Sequence, residues 1–418
     1  MKQAVKYVLS IGCIVIVFIL FFVASLSFVV GLDVSNVASV TVGGEPRDVA
    51  FTPSGKYAYV TNRENVVVID TVANKVVATV ATSKYTEGIA ITPDGKYAYV
   101  THSMSETSQG VSIISTVTNT VVDTIAVSGT LNSGIAITHD GKYVYLTDIE
   151  GSVIVVSTKN NAVIANITIL PRLSDYTDPT NNLVLTSYSD PVAVVFSSND
   201  KYAYVGTGQG DNRIIVIDVA QSKIINEIII NDSVTDVAIH PDGKCLYVTG
   251  IDKFFIVDII TNTVTDTLTD FVLPMNIAVT NNGNYVCVPN YWGDAVLFLN
   301  TVSKVVDKTV NVGPSPFNIA FTSDNKYAYV LCHTYATDGN QAGTVSIISI
   351  DGYNDLSQAP SQSKPVIEFP VQLLVGVILV AVIAIFVVFI IIKKKKTSMH
   401  PHNGEKVSIN VVDNFHVD

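Results

Sequence analysis

Between residues 37 and 350 apolar and polar positions alternate with a period of two, in short runs broken by turn residues. Residues 87–127 show the pattern. Residues 88–92 are a short apolar run, and Pro93, Asp94, Gly95 and Lys96 follow as a hairpin turn. Pro presets the turn φ and Gly supplies a positive one. In 97–101, Tyr97 and Tyr99 lie on one face, Ala98 and Val100 on the other. Residues 111–115 and 121–127 make a third and a fourth strand, joined through Thr118 and Asn119. Tyr, Val, Ile and Thr, which fill these runs, pack best on a pleated surface.

The unit recurs seven times. It reads RDVAFTPSGKYAYVT from Arg47, EGIAITPDGKYAYVT from Glu87 and SGIAITHDGKYVYLT from Ser133. It continues as VAVVFSSNDKYAYVG from Val192, TDVAIHPDGKCLYVT from Thr235, MNIAVTNNGNYVCVP from Met275 and FNIAFTSDNKYAYVL from Phe317. Successive turns are 40, 46, 59, 43, 40 and 42 residues apart. Four strands at a period near 45 predict an all-β chain, a seven-bladed β-propeller of four-stranded blades. The seventh unit ends after three strands, and an extra run, 37–42, precedes the first unit. That run is expected to complete the last blade and remove an open edge.

The strings PDGKYAYVT and Tyr59-Val60-Thr61-Asn62, repeated with Val68-Ile69-Asp70-Thr71, resemble the YVTN-type β-propeller repeat. That family includes archaeal surface-layer-like and bacterial periplasmic propellers. The resemblance covers about residues 37–350 and implies an extracytoplasmic seven-bladed propeller, usually without known catalysis. The fourth unit departs from it with Ser198-Asn199-Asp200 in place of Pro-Asp-Gly, and the sixth with Pro289 in the Thr position.

Both ends of the chain change the picture. Residues 8–32 are uncharged and follow Lys2 and Lys6, as in a signal peptide or an uncleaved signal anchor, so 1–32 is set apart. Residues 371–392 hold one polar side chain, Gln372. A helix of that length spans about 33 Å, enough for a bilayer core of about 30 Å. Lys393 to Lys396 follow directly, and flanking cations stay on the cytoplasmic side. The expected order is the propeller at 33–354, a Ser/Gln/Pro stalk at 355–370, a transmembrane helix at 371–392 and a cytoplasmic tail at 393–418. The propeller then faces outward from the cell membrane.

Charge excludes one class of partner. The chain carries 25 basic and 36 acidic residues, a net charge of −11, which argues against nucleic acid. Four cysteines exclude a disulfide scaffold. The sequence has no G-x-S-x-G, H-E-x-x-H or phosphate-binding loop motif. No cofactor or metal site is expected. His102, Asp148 and Cys332 share a level but lie on separate units, and a lone Asp in each turn is a hairpin signal rather than a calcium loop.

Long insertions mark one face. Residues 103–110, 208–212 and 333–343 extend second-to-third strand loops, and 170–191 links the third unit to the fourth. In a propeller both loop sets share one end, and long loops on a compact domain carry function. The candidate binding residues there are Arg47, Glu87, His102, Asp148, Tyr176, Tyr188, Asn290, Phe317 and His333. Asn166 and Asn231 match the N-glycosylation pattern. The reading that follows is a non-enzymatic binding or adhesion module, or a surface-layer-like one, contacting a protein or glycan. Its alternatives are a lactonase- or quinoprotein-like enzyme with an axial site, and a structural envelope component.

Overall fold

Side-chain alternation makes strands, and short polar turns fold them back on their neighbours. The computed structural model describes residues 32–103, 110–169, 190–208, 210–269, 271–333 and 343–351. Among the described residues the elements are β-strands, apart from the 3-10 turn Tyr291–Gly293. The strands form five four-stranded antiparallel sheets and one of seven strands, a propeller-like all-β fold. The fifth repeat is typical. Asp236–Ile239, Cys245–Thr249, Phe254–Asp258 and Thr263–Leu268 pair in chain order.

The seven-stranded sheet joins the first two repeats through one strand, Lys75–Ile91. Its first part pairs with Arg63–Asp70, through Asp70↔Lys75 and Asn65↔Ala81. Its last part pairs with Tyr97–His102, through Thr86↔His102 and Ile91↔Ala98. Two separate strands were expected here. No Gly or Pro interrupts 82–86, so the chain stays extended, and it changes direction at Tyr85, φ 62.

The expected closing strand is present and longer than 37–42. Asp33–Thr41 pairs antiparallel with Thr344–Asp351, Asp33 opposite Asp351 and Thr41 opposite Thr344. The last sheet therefore contains the first described strand.

The core lies between repeats. Seven apolar clusters each draw on two consecutive repeats. One joins the last repeat to the first, packing Tyr329, Leu331 and Val345 on Val49, Val60 and Val67. The second tyrosine of YAYVT is buried at positions 59, 99, 145, 204 and 329. Where hydrogen-bonded, its phenol reaches the next repeat: Tyr59 to Asn119 Oδ1 at 2.5 Å and Tyr99 to Asn161 Oδ1 at 2.9 Å. The buried Thr of the same string also crosses. Thr61 Oγ1 donates to Glu87 O at 2.6 Å, and Thr101 Oγ1 to Asn132 O at 3.2 Å. The repeat motif is thus the glue between repeats as well as a strand pattern.

The Pro-Asp-Gly-Lys turns are hairpins closed by their own side chains. Thr92 Oγ1 donates to Asp94 Oδ1 at 2.7 Å and accepts from Tyr97 N at 3.1 Å. In the fourth repeat Ser197 and Asn199 keep that bond at 2.9 Å, and Asp200 takes the glycine's place at φ 55. The departure in sequence therefore leaves the turn intact.

No helix among the described residues is long and apolar enough to cross a membrane. The stretches 1–31 and 352–418, with the expected signal segment, stalk, transmembrane helix and tail, lie outside the described residues.

Candidate functional site

The first strands of all seven repeats line one axial cavity of about 660 Å³. A first strand starts at the loop-rich end, so the residues that open it form a rim and the next ones a collar. The rim holds Arg47, Glu87, Ser133, Val192, Thr235, Met275 and Phe317. The collar holds Asp48, Gly134, Ala193, Asp236, Asn276 and Asn318.

One arc of the rim is a charged and aromatic cluster. Arg47 pairs with Glu45 at 2.7 Å and approaches Glu87 at 3.8 Å. Arg63 lies 3.1 Å from Glu45 and 3.9 Å from Glu87. The Arg47 guanidinium sits 5.7 Å above the Phe317 ring, a cation–π contact. Phe317 in turn stacks on His333, ring centres 5.0 Å apart. His333 Nε2 hydrogen-bonds Pro46 O at 2.7 Å, and burial depresses its pKa. Four predicted residues, Arg47, Glu87, Phe317 and His333, are thus brought together from three repeats.

The collar was not anticipated. Asp48 accepts Ile89 N at 2.8 Å, Val49 N at 2.8 Å and Asn318 Nδ2 at 3.0 Å. Asp236 accepts Ile277 N at 2.8 Å. Each carboxylate thus grips the next first strand. Desolvation outweighs these donors and raises Asp48 to about 6 and Asp236 to about 7. In the third repeat the position is Gly134, where a Cβ would come within 2.7 Å of Val192 O. A readable signal existed. Four of seven repeats place Asp or Asn second in an otherwise apolar first strand.

Three other predicted residues do not line the cavity. His102 is buried inside its sheet, with Nε2 2.8 Å from Ser112 Oγ, and burial lowers its pKa to about 4. Asp148 locks its own loop, accepting Thr130 N at 3.0 Å, Glu150 N at 3.1 Å and Ser152 Oγ at 3.1 Å. Asn290 is half-buried at the start of the turn Tyr291–Gly293. The common reason is position. The end of a second strand faces the following loop, not the axis. Asn62, at the same level, accepts Asn65 N at 3.0 Å. Tyr176 and Tyr188 lie outside the described residues, as do most of 103–110, 170–191 and 333–343. Asn166 and Asn231 are both exposed.

The residues that border the insertions converge on the rim. Ser103 Oγ donates to Glu87 Oε1 at 3.1 Å. Asp190 lines the cavity and accepts Asn132 Nδ2 at 3.3 Å. Gly343 N donates to Gly44 O at 3.0 Å, beside Glu45. Three insertions therefore start or end at the same opening.

No family model matches the chain, and no curated protein does. Solved structures do match. Hydrazine synthase of Kuenenia stuttgartiensis superposes with a TM-score of 0.61 at 20% identity, over 72% of this chain and 96% of that one. At that identity the likeness shows the fold. With 1753 solved chains matching, the fold alone does not select an activity.

Proposed function

We propose that this chain is a membrane-anchored, outward-facing binding module, a seven-bladed propeller of the YVTN-repeat kind. It takes a protein or glycan partner on the rim of its axial cavity. One observation carries the reading: Ser103, Asp190, His333 and Gly343, the borders of three long insertions, all meet the rim. Loops that vary in length while sharing one opening are the usual way a rigid scaffold carries recognition. The rim also offers what a polar ligand with an apolar face would use, the Phe317 ring next to two arginines and two glutamates.

The test has two parts. Protease added to intact cells is expected to release a fragment spanning roughly the propeller; full protection would overturn the outward topology. Adhesion of the same cells to a glycan or protein-coated surface is expected to fall at least tenfold in Arg47→Ala/Phe317→Ala. It is expected to hold in Lys142→Ala at the opposite end. Equal loss in both would remove the rim from the argument.

A second reading rests on the collar. Carboxyls raised to about 6 and about 7 inside a cavity suit acid–base chemistry near neutral pH. That would make the chain a propeller enzyme, lactonase-like or quinoprotein-like. Turnover of a lactone panel, with a pH profile breaking between 6 and 7 and lost in Asp236→Asn, would favour it over the binding module.

A further inference from the structure

The end of the fold opposite the rim is built from hairpin tips. Each third-to-fourth strand hairpin turns through one left-handed residue: Asn74, Asn119, Asn161, Ser222, Asn262 or Lys304. Two positions earlier stand Val72, Val117, Lys159, Ala220, Ile260 and Val302. Four of the six are large and β-branched, a poor choice for a turn on local grounds. Val72 is 87% exposed, Val117 82%, Ile260 79% and Val302 86%. None packs on the protein, and none of the six positions is acidic.

Among the described residues the seventh repeat has no such hairpin. There the chain enters at Asp33 and leaves at Asp351, paired with each other. Ile350 N donates to Lys326 O at 2.9 Å, so this exit lies beside a hairpin turn, at the same end as the apolar tips. The uncharged run 8–32 ends directly at that strand, and 19 residues separate the last described residue from 371–392. Both uncharged stretches thus connect to the fold at the end that carries the apolar tips.

We infer that this end rests on the lipid bilayer, with Val72, Val117, Ile260 and Val302 inserted at the interface, so that the rim points away from the membrane. The inference rests on the anchored reading above. A linker of 19 residues spans up to about 65 Å, so tethering alone would leave the fold free to tumble, and the tips supply the orientation. The tether supplies the effective concentration that four shallow contacts need. Lys96, Lys142, Lys244 and Lys326 at this end each pair with an aspartate of their own turn, and an uncharged phosphatidylcholine surface isolates the contribution of the apolar tips.

The chain contains one tryptophan, Trp292, 69% exposed in the turn that joins the second and third strands of its repeat, at the rim end. The full chain is reconstituted into vesicles of brominated phosphatidylcholine, which quenches tryptophan at bilayer depth. Reporters are the native Trp292 and, in a Trp292→Phe background, Val117→Trp and Ile260→Trp. The expected result is quenching at both tips at least about twofold stronger than at Trp292. Replacing the other tips (Val72→Asp/Val302→Asp) is expected to weaken it. Quenching at the tips no stronger than at Trp292 overturns the inference, and stronger quenching at Trp292 shows the fold inverted. Flotation after an alkaline wash separates the two levels. A chain that floats without tip quenching refutes this inference alone, whereas a chain that does not float refutes the anchored reading and this inference with it.

Discussion

The phenol of Tyr329 donates to the amide oxygen of Asn74 at 2.9 Å, across 255 residues of chain. It is the bond that Tyr59 makes to Asn119 and Tyr99 to Asn161, carried from the last repeat back to the first. Burial pushes the Tyr329 hydroxyl up to about 12, so it remains a donor over the whole physiological range. Tyr329→Phe leaves Asn74 able to reach water and is expected to cost about 1 kcal/mol. Chemical denaturation of Tyr329→Phe, Asn74→Ala and the double variant checks it. A purely additive double variant would show that the two groups do not interact.

Tyr145 lacks the matching asparagine. Its partner position holds Ser222, and the phenol oxygen is buried without a hydrogen bond of good geometry. Ser222 also sits at φ 50, a conformation Asn tolerates better. Ser222→Asn is expected to stabilise the protein by about 1 kcal/mol, seen as a higher denaturation midpoint. An unchanged or lower midpoint would mean the longer side chain does not reach.

The collar carboxyls set an unusual pH dependence. Asp48 and Asp236 have folded pKa values of about 6 and about 7, above the ordinary 3.8. Between those limits the folded chain binds more protons than the unfolded one. Stability is therefore full below pH 4 for these groups and falls as pH rises through 6 and 7. Both side chains touch the cavity, so the loss is on the order of 1–2 kcal/mol each rather than the full shift. Asp236→Asn, which copies Asn276 and Asn318 at the same level, is expected to gain stability at pH 8 relative to wild type and not at pH 4.5. Melting curves at the two pH values decide it, and an equal change at both would remove the carboxyl from the account.

In the fourth repeat Arg213 is 8% exposed along its side chain and lies 2.8 Å from Asp211, itself fully buried. A second carboxylate, Glu227, also contacts the guanidinium. Removing Asp211 takes from Arg213 its buried partner and leaves the half-exposed Glu227. Asp211→Ala is expected to cost about 3 kcal/mol, against about 1 kcal/mol or less for Glu227→Ala, which is 45% exposed. Equal losses in the two variants would contradict this assignment of burial.

Much of this architecture is legible in residue order because its determinants are local. Period-two alternation and a hairpin turn every 40–59 residues specify strand, turn and repeat, and the missing fourth strand of the last repeat points to its replacement. Arg47, Glu87 and Phe317 lie together at the rim for the same reason, since equivalent positions in a repeat occupy equivalent places. Tertiary structure decided what depends on neighbours from other repeats. It joined the first two repeats through Lys75–Ile91, because nothing in 82–86 breaks an extended chain. It turned His102, Asp148 and Asn290 away from the axis, since the end of a second strand faces the following loop. It also made Asp48 and Asp236 into interlocking collar groups with raised pKa values, a property of the low-dielectric cavity that seven first strands form together.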